Sequence, residues 1–165
     1  MNFSRRTFIF AGVSGVVALA ALRYFPHASA ALEGEEIMRA IVPVMLDGAL
    51  PQDVSQRREA IEQTIANVDR VIAGLAPSQA HEIGRLFTLL DAAPVRWSLT
   101  RSTHRWSGTA SRDVDAFLAR LRDSRMALLR AAYDALHELV FAAWYGDPRS
   151  WSSIGYDGPP RLGGL

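Results

Sequence analysis

Three sets of side chains in this sequence have the types that chemistry uses: four histidines, a scatter of serines and carboxylates, and arginines set beside tryptophans. A metal centre draws its ligands from short, regular spacings, and a general base needs a neighbour that orients it. His27, His81, His104 and His137 show neither pattern. His137 is followed directly by Glu138, but adjacent helical residues point about 100° apart. Surface or structural roles are therefore the first reading of the histidines, and a metal or catalytic role for His81, His104 or His137 is the minority one. Ser107-Gly108 lacks the strand–turn–helix setting of a nucleophilic serine, and no glycine-rich phosphate loop is present. Asp47, Asp53, Asp91 and Asp157 fall in turn-like segments, where a carboxylate has ordinary capping work. There is no cysteine and no lysine, which removes thiolate metal sites, disulfides, haem attachment and Schiff-base chemistry. No catalytic, cofactor-binding or metal-ligating residue is assigned, and the chain is not expected to be an enzyme itself.

Two Arg-Trp pairs remain, Arg96-Trp97 and Arg105-Trp106, both in the Ser/Thr/Arg-rich stretch 93–111. An arginine can stack on a tryptophan, and both types anchor protein interfaces. The plainer reading is that the tryptophans plug the end of the core.

The elements that must position these residues are helical. Residues 35–46 place Ile37, Ile41, Val44 and Met45 on one face, with Pro43 expected to kink or end the helix. Asp53 with Gln56 reads as a capping box opening a helix that runs to about Gly74. Its stripe is Ile61, Ile65, Val68, Ile72 and Leu75. A third helix spans about 77–92, with Pro77 at its first position and Ile83, Leu86, Phe87 and Leu90 inward. Residues 93–111 lack periodicity and read as a long loop or irregular turns. A last helix spans about 111–145, capped by Ser111 and stopped by Gly146 and Pro148. At 1.5 Å per residue it would be roughly 50 Å long, so it is expected to bend or break near the polar 122–125. The tail from about 146 is rich in glycine and proline yet keeps Trp151, Ile154, Tyr156 and Leu162, which should lie against this chain or another protein. The expected fold is all-α: a bundle of about four helices with an irregular C-terminal arm.

The first 30 residues are set apart. "SRRTFIF" is followed by an apolar run from Phe8 to Leu22, 15 residues long, short of the roughly 20 that span a bilayer. Ala28-Ser29-Ala30 offers a small-x-small cleavage site. Arg5, Arg6, Phe8, Ala28 and Ala30 thus read as an export signal that resembles the twin-arginine type, removed after Ala30, with a periplasmic product. An ordinary secretory signal is the alternative. Without the signal, 15 basic residues face 17 acidic ones, a net charge of −2, and no clustered basic face points to nucleic acid.

The elements "AAWYGDP" (142–148) and "IGYDGPP" (154–160), placed after a long helix, resemble the C-terminal part of gluconate 2-dehydrogenase subunit 3-type small subunits of periplasmic flavin-dependent dehydrogenases. That resemblance covers about a quarter of the chain, together with the signal. It implies a non-catalytic accessory subunit that binds a large flavoprotein of the glucose–methanol–choline class. The partner would carry FAD and cross the membrane already folded on this chain's twin-arginine signal, engaging the twin-arginine translocase. A cytochrome c subunit is a further partner that the resemblance implies. Some members carry cysteines and this chain has none, so any association must be non-covalent. The expected partner interface comprises Trp97, Trp106, Trp144, Tyr145, Trp151, Ile154, Gly155, Tyr156 and Pro159. Deleting 144–165 is expected to leave the bundle helical and abolish partner binding. The rival readings are a stand-alone periplasmic binding or assembly protein with a pocket between its helices, and a small histidine enzyme.

Overall fold

The computed structural model describes residues 30–100, 105–151 and 155–158. The described residues form seven helices, five of them sizeable, and no strand. The chain is all-α. The centre of the bundle is α1 (Ala30–Met45), which packs against four of the other helices and a 3₁₀ turn. Its sequence explains the position. Ile37, Met38, Ile41 and Val42 are each at most 1% exposed, so the apolar face is broad, about 140° of the helix surface. Only an outer strip is polar: Arg39 bonds Glu35 at 2.8 Å and also reaches Glu62 on the next helix. Pro43 lies inside the last turn, and the helix ends two residues later.

Helix α2 (Val54–Ala73) opens on Asp53, whose Oδ1 accepts from the backbone N–H groups of Ser55 and Gln56 at 3.0 and 2.9 Å. Two orphan donors of the first turn are thereby satisfied. Helix α3 (Pro77–Asp91) begins on its proline and buries Phe87 and Leu90. Gly34 of α1 is the point of closest approach: a Cβ there would stand 2.8 Å from the Phe87 ring.

The stretch 93–111 departs from the expected loop. Ala93–Thr100 is a helix, α4, and Trp106–Gly108 is a 3₁₀ turn. Pro94 has two effects: a proline disfavours helical backbone in the residue before it, and its fixed φ suits the first turn of the next helix. The Arg96 guanidinium ties the new helix back to α3, donating to the Asp91 carbonyl at 2.8 Å and to its carboxylate at 3.1 Å.

The expected long helix is two helices, α5 (Ser111–Arg122) and α6 (Ala127–Tyr145). The break falls at the polar segment expected to bend. There Ser124 Oγ accepts from the Met126 N–H at 3.1 Å, and Arg130 donates to the Ser124 carbonyl at 2.7 Å. The break turns α6 back along α5 and seats it on α2, its most extensive neighbour. Ser111 does not cap α5; the N-cap is Ala110, with no side-chain bond, and Ser111 is the first helical residue. A four-residue helix, α7 (Pro148–Trp151), closes the described structure onto the end of α6. No described helix is long and apolar enough to cross a membrane.

Candidate functional site

At the C-terminal end of α6, the chain must stop a helix and turn, leaving its last carbonyl groups without helical donors. One of them, Ala143 O, is met by Asn67 of α2, whose Nδ2 donates to it at 3.2 Å. The same nitrogen donates to Asp147 Oδ2 at 3.1 Å. Asn67 is 9% exposed. Its oxygen is also used, accepting from Gln63 Nε2 at 3.1 Å and from the Arg70 guanidinium. Both donors and both lone pairs of this buried amide are therefore engaged, which is what burial of a polar group demands.

Asp147 is the second centre. Its carboxylate accepts from Arg149 Nη2 at 2.7 Å, from Arg149 Nε at 3.1 Å and from the Arg149 backbone N–H at 3.0 Å, beside the bond from Asn67. Its backbone carbonyl accepts from the Ser150 N–H and hydroxyl, at 3.0 and 2.8 Å. Asp147 thus starts α7 and tethers it to α2. The Arg149 guanidinium, seconded by its backbone N–H and by Asn67, holds the Asp147 carboxyl well below the usual carboxylate range, against the opposing effect of partial burial. A cleft of about 330 Å³ opens beside this cluster, with Val71, Ala142 and Pro148 on its apolar side.

Aromatic side chains run from here along α6. Tyr133, His137, Phe141 and Tyr145 follow at four-residue spacing, with successive ring centroids 5.8, 4.0 and 5.6 Å apart. His137 is stacked on Phe141, with 21° between the rings. The arm extends the row. Trp151 Nε1 donates to the Tyr145 carbonyl at 2.8 Å, and Tyr156 stands edge-on to Trp151 at 5.2 Å. The Tyr156 N–H donates to the Trp151 carbonyl at 3.0 Å. Gly158, at φ 99°, passes so close that a Cβ would lie 3.0 Å from the Trp151 ring.

The residues expected at a partner interface divide on this geometry. Trp97 (60% exposed), Tyr145 (36%) and Tyr156 (46%) present surface, Trp151 is half-buried, and Gly155 is exposed in left-handed backbone. Trp106 and Trp144 do not present surface. Trp106 is 1% exposed and stands edge-on to Phe117 at 5.2 Å, so it plugs the core beside α1; Trp144 is 7% exposed. Ile154 and Pro159 lie outside the described residues, as do His27, His104 and the signal positions Arg5, Arg6, Phe8 and Ala28; Ala30 begins α1. His81 is exposed on α3. Among the described residues no three histidine, aspartate or glutamate side chains gather in a group fit to hold a metal ion.

Asn67 is a residue the sequence reading missed. Its one signal is that Gln63, Asn67 and Arg70 share a helix edge beside the apolar stripe. A second concavity, about 210 Å³, lies between α1, α2 and α3, lined by apolar residues around Phe87 with Glu35 and Asp69 at its rim. Burial, and then the neighbouring Glu35 charge, pushes the Asp69 carboxyl up.

No family model, no curated protein and no solved structure matches this chain.

Proposed function

We propose that this chain is a non-catalytic accessory subunit that binds a large periplasmic flavin-dependent dehydrogenase and carries it through twin-arginine export. The observation that carries the reading is the aromatic surface at the end of the bundle. Tyr145, Trp151 and Tyr156 are held in ordered structure by hydrogen bonds and ring contacts while two of them remain open to solvent. Ordered, exposed aromatic side chains are what interface anchors are made of. They fall in the segment whose "AAWYGDP" and "IGYDGPP" elements resemble the small subunits. The twin-arginine-like signal supports the same reading, because a flavoprotein that loads FAD while folding must be exported folded, on a signal that one subunit of the complex supplies.

The test is capture of the tagged full chain from its native periplasm, with intact masses and a visible absorption spectrum of the eluate. The expected result is a roughly equimolar large protein with flavin absorbance. A colourless monomer would overturn the proposal. The cavity beside Phe87 favours a second reading, a stand-alone binding protein, whose ligand would be a small apolar molecule with a cationic group for Asp69 and Glu35. That reading is met by a colourless monomer whose melting temperature rises with apolar amines and does not respond to the same amines in a Phe87→Ala variant.

A further inference from the structure

We infer that Asn67 is a positioning residue, and that its contacts to Ala143 and Asp147 form the latch that places the aromatic arm on the end of α6.

Beyond Gly146 the described residues form only α7, of four residues, and the short non-helical segment 155–158. So short a helix does not persist on its own propensity. Its one buried residue is Ser150, and that side chain bonds the Asp147 carbonyl. Asp147 is therefore the foot of the arm. It faces the Arg149 guanidinium and backbone N–H within the arm, and the Asn67 amide from α2; Glu59 and Arg70 are the nearby charges of α2. Arg149 belongs to the arm and moves with it. Asn67 belongs to the bundle. Its amide nitrogen is bound at once to the α6 terminus and to the arm's foot, with sequence separations of 76 and 80 residues. Gln63 and Arg70 occupy its oxygen, which fixes the amide orientation with the nitrogen turned to the arm.

Loss of this amide would leave Ala143 O and Asp147 Oδ2 each short of a donor. The remaining ties to α6, the Asp147 N–H on the Trp144 carbonyl at 3.2 Å and Trp151 Nε1 on the Tyr145 carbonyl at 2.8 Å, hold the arm to that helix alone. With nothing joining it to α2 the arm would hinge about these two bonds, and a rigid partner surface would become a looser one.

The functional half of this inference rests on the accessory-subunit reading; the structural half does not, and hydrogen exchange of the isolated full chain tests it. In Asn67→Ala, the amides of Arg149, Ser150 and Tyr156, each hydrogen-bonded within the arm, should exchange about tenfold faster or more, while amides of α1 keep their rates and far-ultraviolet circular dichroism is unchanged. Unchanged exchange at these three amides in a folded variant overturns the latch. If Asn67→Ala fails to fold, Asn67→Ser decides in the same way, because it withdraws the donor from Asp147 and leaves Arg149 bound there. The double variant Asn67→Asp with Asp147→Asn exchanges the acid and the amide and should recover part of the protection that Asn67→Asp alone loses. A merely space-filling Asn67 would show no such recovery. Partner capture is read separately. Faster exchange with undiminished capture would overturn the role in presenting the surface, whereas a wild-type chain that captures no flavoprotein would overturn the function and leave the latch standing.

Discussion

Two tryptophans of one local type, Trp97 and Trp106, have different fates, decided by contacts far away in sequence. Trp106 is enclosed by α1 and α5, and its indole N–H has no acceptor among the described residues. Its contribution is then volume and ring packing, not hydrogen bonding. Trp106→Ala should cost about 3–5 kcal/mol, enough to unfold a marginal domain. Trp106→Phe should cost about 1–2 kcal/mol, because it keeps an aromatic ring beside Phe117 and removes an unsatisfied donor. Urea unfolding of both variants checks the ordering, and equal costs would sink it. Asp147 yields a pH prediction. Its folded carboxyl is held low, so its contribution is complete above the unfolded value, about 3.9, and is lost as pH falls below that toward the folded value. The stability difference between wild type and Asp147→Asn should stay constant from pH 7 to pH 5 and shrink below about 4. Thermal unfolding across that range reads it; a difference that shrinks near neutrality would contradict the assignment. The plainer reading from sequence, tryptophans plugging the core, holds for Trp106 and not for Trp97. Arg96-Trp97 and Arg105-Trp106 are alike as dipeptides, and Asn67 sits where an amphipathic helix ordinarily meets solvent.

At the scale of the element, most boundaries could be read because they rest on local chemistry. Asp53 caps α2, Gly74 ends it, Pro77 opens α3, and the polar 122–125 divides α5 from α6. The helix Ala93–Thr100 could not be read, because its eight residues are too few to show a period and its anchorage, Arg96 on Asp91, reaches back over the end of the preceding helix. The central position of α1 was half legible. The 35–46 pattern showed one apolar face, but the fully buried residues are Ile37, Met38, Ile41 and Val42, not Val44 and Met45. A helix surrounded by others needs close approach, and Gly34 supplies it against Phe87. Gly34→Ala should therefore destabilise by about 1–3 kcal/mol through overpacking, although alanine is the better helix former. A gain in melting temperature would mean that α1 and α3 separate freely. Asp53→Ala, which removes an acceptor from two backbone donors, should cost about 1 kcal/mol and leave the other helices unchanged by circular dichroism.

For the whole molecule, the question is which surface meets the partner. The cut 144–165, attractive from sequence, would remove the core residue Trp144 and the Asp147 acceptor of Asn67, so its effect on binding would be confounded by damage to the bundle. Surface substitutions separate the two. Tyr145→Ser with Tyr156→Ser alters side chains 36% and 46% exposed, and away from special features such changes shift stability by about 0.5 kcal/mol or less. Capture of the flavoprotein should nevertheless weaken at least about 30-fold, the effect of losing an anchor worth about 2 kcal/mol. Trp97→Ser, on α4, tests whether the interface extends to a helix that packs on α3 and α5. A comparable loss would require the partner to span both regions, and an unchanged affinity would confine it to α6 and the arm. If neither variant weakens capture while both melt like the wild type, the aromatic end of the bundle is not where the partner sits. The accessory reading would then lose the observation that carries it.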